Sequence, residues 1–95
     1  ARDADREIAA GGNRGLLHGI PIAVKDIVDV AGLPTRCGSA VLEGAAPAAV
    51  DASIVGRLRE AGAVILGKTV TQEFAAGVLS PPARNPWDPS RVPGG

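Results

Sequence analysis

Lys25 sits in the strongest strand signal of the chain, the aliphatic stretch Gly19-Ile20-Pro21-Ile22-Ala23-Val24-Lys25-Asp26-Ile27-Val28-Asp29-Val30. A free lysine has a pKa of about 10.4, so at neutral pH only about one in a few thousand is uncharged and able to accept a proton. Burial penalises the ammonium form and can bring that value down to roughly 5–6. Each unit of such a change represents ~1.4 kcal/mol. A lysine desolvated in this way becomes a usable general base. The competing reading pairs Lys25 with Asp26 or Asp29, or lets its stem lie along apolar surface while the ammonium reaches water. Taken alone, the pattern favours the paired or solvated lysine.

The other chemistry-bearing residues give weaker signals. Gly62-Ala63-Val64-Ile65-Leu66-Gly67-Lys68-Thr69 fits the string G-x-x-x-x-G-K-T of a nucleotide-binding phosphate loop. That loop works by curling backbone N–H groups around a phosphate between a strand and a helix. Here the intervening residues are aliphatic strand formers and a helix precedes Gly62, so the match is set aside. Lys68 then reads as a strand-end residue, solvated or hydrogen-bonded to nearby carbonyls. Whether residues 63–66 are extended or looped decides the matter. His18, the single histidine, lies in a loop with no neighbouring nucleophile or metal ligand and reads as a turn-stabilising residue. Cys37 has no histidine or carboxylate in a triad-like local pattern, and a reactive thiol needs a lowered pKa. A small, packed, inert cysteine is the expectation.

The elements that must hold Lys25 follow from periodicity. Ile20, Ile22 and Val24 share one face of an extended chain, with Ala23 and Lys25 on the other. Pro21 suits a strand start or an edge, and Gly32 and Pro34 mark the next turn. Residues 27–30 either prolong the strand past a bend or form a second short one. Residues 1–10 suit a helix with Ala1, Ala4 and Ile8 on one stripe, stopped by Gly11-Gly12. Thr35 to Val50 reads as irregular. Asp51 is the expected N-cap of a helix with Ile54, Val55, Leu58 and Ala61 on one face and Gly62 just past its end. Ala63 to Gly67 reads as a buried strand. Strand, crossover helix and strand together predict a right-handed βαβ unit around a parallel pair. Val70 to Ala76 suits a short helix capped by Thr69 or Thr71, with Phe74 facing inward. Ser80 to Gly95 is turn chemistry throughout.

Composition narrows the function classes. The chain has 95 residues, 45% of them apolar, but one Phe, one Trp, and neither Tyr nor Met. Such a chain forms one small domain at most, and the missing initiator and the character of both ends point to a piece of a longer protein. Its net charge is zero and eight scattered arginines make up most of its ten basic residues, which argues against nucleic-acid or membrane-surface partners. One cysteine gives neither a disulfide framework nor a metal cluster. No apolar run approaches the ~18 residues of a membrane span.

The order of motifs resembles the amidase signature family. The segments that carry it are Leu17-His18-Gly19-Ile20-Pro21-Ile22-Ala23-Val24-Lys25-Asp26, then Ala61 through Thr69, then Arg84-Asn85-Pro86-Trp87-Asp88-Pro89-Ser90-Arg91-Val92-Pro93-Gly94-Gly95. The resemblance covers residues 16–95 and implies an α/β fold, the N-terminal portion of one large mixed, twisted sheet flanked by helices. Its members hydrolyse or transfer amides with a Ser–cis-Ser–Lys triad, and the family's lysine falls on Lys25. By that likeness a neutral lysine takes a proton through a bridging serine, which deprotonates the serine that attacks the amide carbonyl. The bridging serine follows the Gly-Gly pair in the family, so both serines lie past Gly95, and these 95 residues alone are expected to hydrolyse nothing. Ser39, Ser53, Ser80 and Ser90 match no family catalytic position. Ser39 and Ser90 read as backbone-bonding loop residues and Ser53 as a first-turn helix residue.

The resemblance further implies a small-molecule amide substrate, no cofactor, no metal and a cytoplasmic protein. The partner it implies is the remainder of its own chain, and it allows a homodimer of the intact protein. The short segment between Phe74 and Asn85 looks more like small-amide hydrolases of the malonamidase type than like the A-type subunits of transfer-RNA amidotransferases. Three alternatives stay open: an amidotransferase subunit that releases ammonia from glutamine for a partner, a non-catalytic binding module on the same scaffold, and a nucleotide-binding protein.

Overall fold

The computed structural model describes residues 1–77 and 82–94. Helix α1 (Arg2–Ala9) is followed by strand β1 (Pro21–Lys25), helix α2 (Ser53–Glu60) and strand β2 (Val64–Thr69). Single turns of 3₁₀ helix lie at Ala40–Leu42 and Glu73–Ala75. β1 and β2 pair in parallel, with Pro21 opposite Val64 and Ile22 opposite Ile65. The register then jumps, so that Ala23 faces Gly67, Val24 faces Lys68 and Lys25 faces Thr69. Leu66 is the extra residue of a β-bulge, and Gly67 beside it has a φ of +153°. Residues 64–66 are therefore extended, and no loop curls there around an anion.

Alternation along the strands gives the sheet two different faces. Ile22, Val24, Ile65 and Lys68 share one. Val24 and Val30 pack there with Val55 of α2, which is fully buried, and Val28, Leu33, Ala52 and Ile65 close around them. Pro21, Ala23, Lys25, Gly67 and Thr69 share the other face, which is small-residued and largely open: Pro21, Ala23, Lys25 and Thr69 are all exposed. The 27 residues from Asp26 to Ala52 cross from β1 to α2 as loop, held by isolated bridges between Ala31 and Ala48 and between Pro34 and Pro47.

The helix ends follow their glycines. α1 closes at Ala10, with Gly11 left-handed after it. Gly62, at φ +89°, ends α2, and its N–H donates to the Arg59 carbonyl.

Several local expectations are corrected. Ile20 lies outside β1 and is 47% exposed, because the strand begins at Pro21. Residues 27 and 28 turn back instead of extending, their N–H groups donating to the Lys25 carbonyl at 2.8 and 3.1 Å. Asp51 does not cap α2; Ala52 occupies that position with no side-chain bond. The Asp51 carboxylate instead accepts from the Ala31 N–H at 2.7 Å and from Arg59 Nε at 2.8 Å. Ile54 is 59% exposed, since α2 meets the sheet along a narrow stripe through Val55. Phe74 is 56% exposed and not turned inward. Its left-handed backbone, φ +46°, swings the side chain out while its N–H donates to the Cys37 carbonyl. Ser80 lies outside the described residues. Residues 82–94 are turns and bends, as their prolines and glycines predict.

Candidate functional site

Lys25 is the last residue of β1, on the open face, and exposed. In open parallel sheets, ligands bind beyond the carboxyl ends of the strands. The two carboxylates that sequence proximity offers it are both taken by other groups. Asp26 Oδ1 lies 2.9 Å from Lys68 Nζ, with both side chains largely buried. Asp29 Oδ1 accepts from the Thr35 hydroxyl at 2.6 Å. Among the described residues Lys25 forms no ion pair, and the paired-lysine reading is replaced by a lysine standing clear of its neighbours.

Of the two sequence expectations for Lys68, solvation or bonding to carbonyls, the second holds, and more. Its ammonium donates to the Pro34 carbonyl at 3.2 Å and to Thr35 Oγ1 at 2.9 Å, besides pairing with Asp26. Two of its three protons go to these oxygens, and the Asp26 carboxylate lies beside it at ion-pair distance. Asp26 in turn receives the Arg36 N–H at 3.3 Å, and its carbonyl accepts from the Cys37 N–H. One buried ion pair thus ties β2, the end of β1 and the loop at 34–37 together. The signal for it was present, since Asp26 directly follows one aliphatic strand and Lys68 interrupts the other. Spacing assigned Asp26 to the wrong lysine.

Ser39 is 5% exposed and joins the same loop to the Glu73–Ala75 turn. Its hydroxyl donates to Glu73 Oε1 at 2.7 Å and accepts from the Val41 N–H at 3.3 Å. Ser90 Oγ donates to Asp88 Oδ1 at 2.6 Å, so it also serves its own turn. Cys37 is half-buried, at φ +53°. A cleft of about 420 Å³ opens beside the buried pair, lined by Asp26, Arg36, Ser39, Glu43, Val70 and Thr71 among others.

His18 lies at the opposite end of β1 from Lys25. Its Nδ1 accepts from the Arg14 N–H at 3.2 Å, and its Nε2 lies 3.3 Å from Glu7 Oε2 without hydrogen-bond alignment. Arg14 Nε donates to the same Glu7 carboxylate at 2.7 Å. Arg14 foremost, with His18 adding to it, holds the Glu7 carboxyl below the ordinary glutamate range. A second cleft, about 310 Å³, runs past Glu7, Arg14 and His18 against α1, with no nucleophile in its lining. The histidine therefore fastens the loop before β1, as its sequence context predicts. Among the described residues no three His, Cys, Asp or Glu side chains gather as a metal site, and no helix is long and apolar enough to cross a membrane.

The chain is similar to known proteins along its whole length. The A-type subunit of glutamyl-tRNA(Gln) amidotransferase from Acidothermus cellulolyticus is 50% identical over 100 residues, which cover all of this chain and 20% of that protein. An amidase of Pseudomonas putida is 53% identical over 94 residues, 99% of this chain and 19% of the relative. Among solved structures, the peptide amidase of Stenotrophomonas maltophilia superposes with a TM-score of 0.84 at 40% identity, over all of this chain and 21% of that one. The chain thus spans about a fifth of the length of the relatives it matches. The family model described as Amidase matches residues 1–95, and the chain, with its fold, belongs to the amidase signature family.

Proposed function

We propose that these residues carry the proton-accepting lysine of an amide hydrolase, and that Lys25 is that lysine. One observation carries the reading: Lys25 stands at the carboxyl end of a parallel strand, with both neighbouring carboxylates bound to other partners. A general base has to be free to take a proton, and a lysine neutralised by a fixed carboxylate is held in its charged form. The open face around it is built from Ala23, Gly67 and Thr69, which leave room for other chain segments and for a substrate. In this reading the rest of the protein covers that face and supplies the two serines. Lys25 accepts a proton through the bridging serine, and the nucleophilic serine attacks the carbonyl of a small carboxamide. Ammonia leaves, and water completes the hydrolysis.

A second reading is favoured by the relatives named as A-type amidotransferase subunits, to which the chain is as similar as it is to the amidase. There the same lysine serves the release of ammonia from glutamine for a partner protein. Ammonia release from a small primary carboxamide by the full-length protein alone separates the two. Turnover without any other subunit supports the hydrolase. Turnover that appears only with glutamine and added partner subunits supports the amidotransferase.

A further inference from the structure

Two lysines flank one aspartate at the end of this sheet, and the buried pair selects between them. Lys25 and Asp26 are consecutive, so their Cα atoms are about 3.8 Å apart. A carboxylate so close to a lysine, left without a partner, pulls on its proton well within the roughly 10 Å over which salt fails to screen charge. In this structure Asp26 is withdrawn from Lys25. Lys68 reaches it from the α2-covered face, and the pair is locked by the Pro34 carbonyl and the Thr35 hydroxyl.

We propose that Lys68 is a positioning residue for Lys25: by sequestering the Asp26 carboxylate in a buried pair, it keeps that carboxylate from capturing the ammonium of Lys25. This rests on the reading of Lys25 as the base. Lys68 touches neither substrate nor reacting atoms. Among the described residues the other charged groups around this end of the sheet are Asp29, held by Thr35, the exposed Arg36, Glu43 across the cleft from Asp26, and Glu73, held by Ser39. Arg36 is the one cation among them: its N–H donates to the Asp26 carboxylate at 3.3 Å, but its guanidinium forms no ion pair with it.

The experiment compares pH–rate profiles of the full-length protein hydrolysing a small primary carboxamide, for wild type, Lys68→Met, Lys68→Arg and the double variant Lys68→Met/Asp26→Asn. A general base works in its deprotonated form, so activity rises with pH along an acid-side limb. In Lys68→Met the released Asp26 charge favours protonated Lys25. The limb moves to higher pH, activity at neutral pH falls about tenfold per unit moved, and KM changes little. Removing the carboxylate as well returns the limb to its wild-type position, and Lys68→Arg keeps it there. If Lys68 acts only through packing, the single and double variants lose activity together with the limb unmoved, which overturns the proposal. Should Lys68→Met fail to fold, the double variant and Lys68→Arg still decide, because a displaced limb in either contradicts sequestration. Lys25→Ala is the control for the underlying reading: if it retains activity, the assignment of the base has failed, whatever the Lys68 profiles show.

Discussion

The Lys68 ammonium donates to two oxygens and pairs with Asp26, and the cost of deleting it follows from what would be stranded. Asp26, with a side chain only 17% exposed, would keep its charge without its partner. Breaking a buried pair from one side costs about 3 kcal/mol or somewhat more, whereas removing both charges is often near neutral. Lys68→Met should therefore lower unfolding stability by about that amount, and Lys68→Met/Asp26→Asn should regain most of it. Denaturant unfolding of the two variants checks this; equal losses would show that the charge pair is not what matters. At this scale the sequence was legible in part. Lys25 stands out because it interrupts an aliphatic run, but its partner could not be read from spacing. Adjacent side chains on a strand leave from opposite faces, so the nearest carboxylate in sequence served a lysine from the other strand. Ser39 does bond backbone, at the Val41 N–H, but its hydroxyl also reaches the distant Glu73, and the Ser90 hydroxyl bonds the Asp88 carboxylate where a backbone partner was expected.

Between elements, two junctions fix how the sheet and its helices meet. Gly62 ends α2 in a left-handed conformation, and a Cβ there would stand 2.8 Å from His18 Cα and 3.1 Å from Arg14 Cβ. Gly62→Ala combines backbone strain with a clash against the loop before β1. It should cost about 2 kcal/mol or more, read as a lowered thermal midpoint; an unchanged midpoint would mean that this approach is not tight. The second junction is Asp51, whose carboxyl is held below the ordinary aspartate range first by the Ala31 N–H and then by Arg59. A lowered folded-state pKa adds stability that is present above the unfolded value of about 3.9 and is lost as pH falls through the folded value. Asp51→Asn should thus be less stable than wild type at neutral pH, with the gap closing in acid below about pH 4. Melting curves across that range test it, and a gap independent of pH would contradict it. Both helices and both strands were legible in kind from their apolar stripes and runs, but β2 runs on through Gly67 to Thr69 and is not the buried strand expected, Leu66 being 69% exposed. The cap of α2 was not legible, since Asp51 fits an N-cap by type yet is drawn off by Ala31 and Arg59. Nor was the Phe74 turn, where two successive left-handed non-glycine residues break the helix that Val70 to Ala76 suggests. Gly67 inside a strand was the available sign of the bulge.

As a whole the molecule is a slab, 46 × 34 × 18 Å, with a core of a few valines against one face of a two-stranded sheet. Leu16 is fully exposed, Trp87 90%, Val41 84% and Leu66 69%, more apolar surface than so small a core can balance. These 95 residues expressed alone should bind a hydrophobic dye strongly, show Trp87 emission typical of solvated indole, and turn over no carboxamide. A compact, dye-free and active fragment would overturn the account of which parts complete the site. Motif order made the family legible, but not which surfaces are bare, because exposure depends on packing between positions distant in sequence. The most direct measurement is turnover of a small carboxamide by full-length Lys25→Ala, with its fold verified against wild type. A proton-accepting role predicts a loss of about a thousandfold in kcat, within the range general-base catalysis supplies. A folded Lys25→Ala protein that works at close to the wild-type rate would contradict it.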